Sequence, residues 1–368
     1  MSALPNATRH SIELVTEDEI QINAVLNLPD GLMPKTAIAA IQPTSSRQVH
    51  LVLSAMAERG FAALAIDNRF AGTESALIVE QVLLDLAAGV AYLREHGFER
   101  VALLANSGGG GLCAFYQAEA EVPTVRSTPS GQPPDLTKHN LPTTDAIIFL
   151  NAHRGRAQVL TTWCDPAVVD EQEPLLTDAE LDLFAPQRKP PFSESFITRY
   201  RTEQVKRNDR ITSWALSRLT TLASHGFADQ AFTVHRTTAD PRFVDLTIDQ
   251  SDRTAGSQTN DDVRSANNSS RGLARHTTLQ SWLSQWSLRR SHAGVEANVA
   301  RISVPLLFLQ GTADRGIFPS DTIAMHGAAR ADDRRIEWLA GFDHYLRGPQ
   351  GPAVAFDIMS SWLASRGF

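Results

Sequence analysis

Short runs made only of apolar residues recur along this chain, separated by stretches of helical periodicity: Ala37–Ile41, Phe61–Ile66, Val101–Leu104 and Ala146–Leu150. A strand without polar alternation is buried on both faces. Strands of that kind, joined through helices, form a parallel sheet covered on both sides. The intervening patterns predict helices over Val49–Arg59, over Leu77–Glu95, which ends at the capping pair His96-Gly97, and over Gly108–Ala118. Two earlier segments, Ser11–Val15 and Ile20–Leu26, flank a turn at Glu17–Glu19 and read as an antiparallel pair at the edge of the sheet. The alternation resumes near the C-terminus with strands at Val304–Leu309 and Ile336–Leu339 and a closing helix at Ala353–Ser365.

The middle of the chain breaks this rhythm. Residues 154–297 are polar and charged, and their apolar positions are spaced helically: Leu279, Trp282, Leu283 and Trp286 share one face, Phe196, Ile197 and Tyr200 start another helix, and Trp214, Leu216 and Leu219 continue that stretch. Two stretches read as long loops, 121–143 (rich in Pro, Ser and Thr) and 249–272 (rich in Ser, Asn, Asp and Thr). The organisation expected is therefore an α/β core built from residues 1–153 and 298–368, with 154–297 inserted as a mainly helical cap. A length of 368 residues exceeds what a minimal α/β domain needs, as this reading requires. A net charge of -7 argues against a nucleic-acid partner, and no run of about 18 apolar residues argues for a membrane span. Only two cysteines, Cys113 and Cys164, occur, and the first residues show no basic segment followed by an apolar run. A cytoplasmic setting is the expectation, in which the N-x-S/T triplets at Asn6 and Asn267 carry no meaning. Assembly is left open, with a homodimer among the states the composition permits.

The most informative segment for chemistry is Val101-Ala-Leu-Leu-Ala-Asn-Ser107-Gly-Gly-Gly-Gly111. An apolar strand runs into a serine set among small residues, and a helix follows. A strand-to-helix turn this tight pushes the serine hydroxyl out of the backbone, and it admits only small residues two before and two after, here Ala105 and Gly109. A phosphate-cradling loop is the competing reading. It lacks the following Lys-Ser/Thr, and the G-x-G-x-x-G register of a dinucleotide site is also missing. A serine needs a base, and the base needs a group to orient it. Val304–Asp314 is a strand followed by a turn ending in Asp314, and Ala340-Gly-Phe-Asp-His344 follows the strand at Ile336–Leu339. Both residues thus lie beyond the carboxyl ends of strands, where the sites of open α/β sheets assemble.

With A-N-S-G-G at 105–109, G-T-A-D at 311–314 and G-F-D-H at 341–344, in that order and on those elements, the chain resembles the α/β-hydrolase superfamily from about residue 11 to its end. The resemblance implies a mostly parallel central sheet flanked by helices, a cap between strands 6 and 7, and acyl-transfer chemistry without a cofactor or metal. Ser107 is then the nucleophile, His344 the base and Asp314 the acid, with Asp343 and Asp321 as rival acids and His153 as rival histidine. The oxyanion hole would use the backbone N–H of Gly108 and a second one from the loop Ile41–Arg47, with Thr44 favoured and Ser45 its rival; no H-G-G-G motif is present. Asn106, Arg69, His153, Trp163 and Trp214 are candidates for the substrate pocket, whereas Trp282 and Trp286 read as cap core. The function implied is hydrolysis of a small-molecule carboxylic ester. Thioester, lactone, amide and carbon–carbon bond cleavage by the same triad stay open, with a non-catalytic ligand-binding protein as the alternative class.

Overall fold

The computed structural model describes residues 6–44 and 47–368. Ten strands run β1 (Ala7–Val15), β2 (Gln21–Pro29), β3 (Thr36–Ile41), β4 (Ala62–Ile66), β5 (Arg100–Asn106), β6 (Ala146–Leu150), β7 (Ala231–Thr233), β8 (His276–Thr278), β9 (Leu306–Gly311) and β10 (Arg334–Leu339). The helices are α1 (Arg47–Ala57), α2 (Val79–Glu95), α3 (Gly109–Glu121), α4 (Arg156–Trp163), α5 (Glu194–Ala223), α6 (Val263–Asn268), α7 (Leu279–Ser281), α8 (Val295–Val299), α9 (Pro319–Ala328) and α10 (Ala353–Ala364).

Eight strands form one sheet in the order β1-β2-β4-β3-β5-β6-β9-β10. The apolar runs sit at its centre, every residue of β3, β4, β6 and β9 being buried. All neighbours from β4 to β10 pair in parallel, while β2 pairs antiparallel with both β1 and β4. The antiparallel pair expected at the edge is thus β1 with β2, and β2 is the strand of this sheet that runs against the others. Alternate side chains of each strand point to opposite faces. One face, with Ile38, Leu104, Ile148 and Leu309, packs under α1 and α10. The other, with Ala39, Leu103, Phe149 and Phe308, packs under α2, α3, α8 and α9.

Between the sixth and seventh strands of this sheet, β6 and β9, the chain leaves it for α4 to α8. The long helix α5 starts where the Ser193 hydroxyl accepts the Phe196 amide, an N-terminal cap. Its buried stripe is Tyr200, Gln204, Arg207, Asn208, Ile211, Thr212 and Ala215, a spacing of three and four. The helix expected to start at Phe196 and the stretch through Trp214 expected to continue it are this one element. The cap, expected to be mainly helical, also holds a small antiparallel pair, β7 with β8, that no segment of the sequence reading assigned. The face Leu279–Trp286 is buried as expected, but only α7 is α-helical; Trp282–Trp286 winds more loosely as a π-helix, closed by the Ser287 amide on the Trp282 carbonyl at 2.9 Å. No helix among the described residues is long and apolar enough to cross a membrane.

Candidate active site

β5 ends at Asn106, α3 begins at Gly109, and Ser107 turns the corner between them with φ 48°, in the left-handed region. A non-glycine residue holds that conformation only when its surroundings over-determine it. Here the Ser107 amide donates to the Leu150 carbonyl at 3.2 Å, and the Ser107 carbonyl accepts from His153 at 2.9 Å and Gly110 at 3.1 Å. The demand for small residues is literal. A Cβ on Gly109 would lie 2.7 Å from the Ile41 carbonyl oxygen, and one on Gly108 would lie 2.8 Å from Cγ of Pro43.

Ser107 Oγ lies 3.0 Å from Nε2 of His344, whose Nδ1 lies 2.7 Å from Oδ2 of Asp314. Asp314 is 1% exposed and His344 5%. The second oxygen of Asp314 accepts the Gly316 and Ile317 amides at 2.7 and 3.1 Å, which sets the plane of the carboxylate. Asp343 is engaged elsewhere, accepting the Tyr345 and Arg347 amides and pairing with Arg347. Asp321 accepts the Phe318 amide and faces Arg242. Neither rival carboxylate touches His344.

His153 also reaches the serine, with Nε2 3.3 Å from Oγ. Its Nδ1 is buried and meets no partner, so no acid orients it. Burial, and then the neighbouring His344 and Arg156, hold its imidazole down at about 3, and it is neutral at ordinary pH. The two thiols are buried and uncharged: burial pushes Cys113 up to about 12 and Cys164 to about 11.

These groups open into a pocket of about 470 Å³ that is also lined by Gln42, Thr44, Asn106, Gly108, Arg156, Leu273 and Tyr345. Gln42 ties the loop after β3 to the nucleophile turn, donating from Nε2 to the Asn106 carbonyl at 2.6 Å, while Asn68 donates to the Gln42 carbonyl at 2.7 Å. Thr44 and Gly108 therefore face one cavity; Ser45 lies outside the described residues. The Asn106 side chain donates to the Leu150 carbonyl and braces the turn.

Three of the expected pocket residues lie elsewhere. Arg69 pairs with buried Asp85 at 2.7 Å and with Asp18, so it is spent inside the fold. Trp163 packs edge-on against Phe243, next to Phe318. Trp214 meets Phe232 edge-on and lines a separate groove of the cap. Two residues that sequence reasoning passed over matter more. Asn151, just past β6 with φ 43°, accepts the Gly311 amide at 2.8 Å and donates to the His344 carbonyl at 3.1 Å, clasping the acid-bearing and base-bearing loops together. Arg156 opens α4 inside the pocket, its guanidinium 4.0 Å above the Trp286 ring and hydrogen-bonded to the Gln285 side chain. The only signal for either was position, Asn151 directly after the buried strand β6 and Arg156 at the first helix start beyond it.

With this geometry in place, similarity to solved structures decides the architecture. The chain superposes on DcsB, solved with its substrate analogue, with a TM-score of 0.59 at 12% identity over 97% of this chain and 99% of that one. It superposes on a hypothetical protein from Pseudomonas aeruginosa with a TM-score of 0.57 at 14% identity over 99% and 95%, and on the α/β hydrolase GrgF from Penicillium sp. with 0.53 at 13% identity over 92% and 91%. The fold is that of the α/β-hydrolases. Neither a protein-family model nor a curated protein sequence matches the chain. In terms of the α/β-hydrolase fold, Ser107, Asp314 and His344 come from the turns after the fifth, seventh and eighth strands of the sheet.

Proposed function

We propose that this protein is a serine hydrolase that cleaves a small-molecule carboxylic ester through an acyl-enzyme. The observation that carries the reading is the unbroken hydrogen-bonded line from Ser107 Oγ through His344 to Asp314, opening on a cavity. Ser107 Oγ attacks the ester carbonyl while His344 Nε2 takes its proton, and Asp314 stabilises the imidazolium that forms. The backbone N–H groups of Gly108 and Thr44 receive the developing oxyanion; one such donor is worth roughly 10²–10³ in kcat. His344 returns the proton to the departing alcohol, and water on the same base then releases the acid. His153, neutral and without an acid behind it, serves as a donor to Oγ rather than as a second base.

The test is covalent. Purified protein is incubated with a fluorophosphonate probe and the adduct located by peptide mass spectrometry, with Ser107→Ala as control. Labelling at Ser107 that is lost in the variant supports the triad, and esterase activity of Ser107→Ala should fall roughly 10⁴-fold or more. Absence of labelling, or labelling at another residue, overturns the assignment and favours a ligand-binding role.

A further inference from the structure

Among the described residues lining the pocket, Arg156 alone is an arginine, lysine or carboxylate. Three arginines drawn into the fold are neutralised there: Arg69 by Asp85 at 2.7 Å, Arg207 by Glu171 at 2.6 Å and Arg242 by Asp240 at 2.8 Å. Arg253 is surrounded by backbone carbonyls of Arg242, Asp245, Ile248 and Asp249. Arg156 has neither arrangement. Among the described residues no carboxylate forms an ion pair with it, and Glu74 acts on it only through space. Its protein partners are the Gln285 side-chain oxygen and the face of Trp286.

A guanidinium offers five N–H donors in a planar fork, and Gln285 engages one nitrogen of it. The stack on Trp286 offsets part of the cost of enclosing the cation and fixes the plane of the fork. An enclosed cation without a counter-charge is destabilising, so the arrangement is completed by an anion that arrives with the substrate. A carboxylate matches the fork bidentately. We propose that this pocket selects esters carrying a second, free carboxylate, and that Arg156 holds that carboxylate while Ser107 attacks the ester. The proposal rests on the Ser107 reading above and names the substrate class of the same site. Esters bearing a cation are rejected, because no carboxylate side chain lies among the described residues of the pocket to meet them.

The experiment compares methyl half-esters of glutaric, adipic and suberic acid with methyl esters of monocarboxylic acids of equal chain length, following methanol release by the wild-type enzyme. The expected result is a kcat/KM at least ~10-fold higher for the best half-ester than for its neutral match, expressed mainly in KM. In Arg156→Gln that ratio should collapse towards one, and Arg156→Lys should restore part of it, with thermal melting of each variant reporting its fold. Equal or better turnover of the neutral esters by wild-type enzyme overturns the proposal without recourse to any variant. Fluorophosphonate labelling separates the two possible failures. Ser107 labelled but no preference for half-esters overturns the carboxylate assignment alone, and Ser107 unlabelled overturns both.

Discussion

His153 and His344 both approach Ser107 Oγ, at 3.3 and 3.0 Å, yet only His344 has a carboxylate on its other ring nitrogen. Enclosure at 6% exposure, next to a second imidazole and a guanidinium, keeps His153 neutral and leaves its Nδ1 unpartnered. The stability consequence has a definite sign. A histidine held at about 3 in the folded protein and near its ordinary value in the unfolded chain binds more protons when unfolded, so stability is lost as pH falls between those two values. Lowering pH from 7 to 5 should therefore cost the wild type about 2 kcal/mol through this residue. Urea midpoints at the two pH values should show that loss reduced in His153→Gln; equal losses in both proteins would remove the linkage. The thiols offer a second check at this scale. With Cys113 and Cys164 pushed to about 12 and 11 by burial, native protein should leave Ellman's reagent unreacted at pH 8, and both thiols should react after unfolding.

At the scale of elements, the site is where strand ends meet. Asn151 joins two of them, and Asn151→Ala leaves the buried Gly311 amide without its acceptor, at a cost of about 1–3 kcal/mol. Because the same side chain holds the His344 carbonyl, kcat should fall with KM little changed, and the variant's pH–rate profile should shift as the His344–Asp314 geometry loosens. A stability loss with kcat and pH profile intact would reduce Asn151 to a structural role. Gly109→Ala places a methyl against the Ile41 carbonyl at 2.7 Å, where backbone, and not a flexible side chain, must yield. It should destabilise by about 1–3 kcal/mol and cut activity at least ~10-fold, since α3 carries the serine turn. The elements of the core were legible because apolar runs such as Ala146–Leu150 have one structural use, and the positions of Ser107 and Asp314 followed from lying past such runs, that of His344 from the shorter, mixed strand pattern at Ile336–Leu339. Side chains whose surroundings come from other parts of the chain were not legible. Arg69 and Arg156 both sit on loops or helix starts beyond buried strands, and only the fold decides that Asp85 reaches one while no carboxylate reaches the other. Trp163 and Trp214 were misplaced for the same reason, as helical spacing predicts burial but not which cavity a ring faces.

Over the whole molecule, the cap is joined to the core at a point that also shapes the pocket. The Val79 amide, a free donor at the start of α2, is satisfied by the cap residue Ser284 at 2.8 Å, and the Ser284 hydroxyl donates to buried Glu80 at 2.7 Å. Glu80 also meets Nδ1 of His292 at 2.8 Å, and Gln285 donates to the Leu77 carbonyl at 3.1 Å while its oxygen holds Arg156. Consecutive residues of the π-helical turn thus anchor the cap through Ser284 and position the pocket cation through Gln285 and Trp286, so docking of the cap and shape of the pocket are coupled. Four of the six tryptophans, Trp163, Trp214, Trp282 and Trp286, lie between β6 and β9, so fluorescence reports mainly on the cap and far-ultraviolet circular dichroism on the whole chain. Wild-type protein should unfold in urea with coincident transitions by the two probes. Glu80→Ala removes the acceptor common to Ser284 and His292, weakening the junction by roughly 2–4 kcal/mol. The fluorescence transition should then move to lower urea ahead of the dichroism transition, with KM rising as the Gln285–Arg156 contact loosens. Transitions that stay coincident while both shift would mean that cap and core are one cooperative unit held mainly by apolar packing, with Glu80 contributing only to its overall stability.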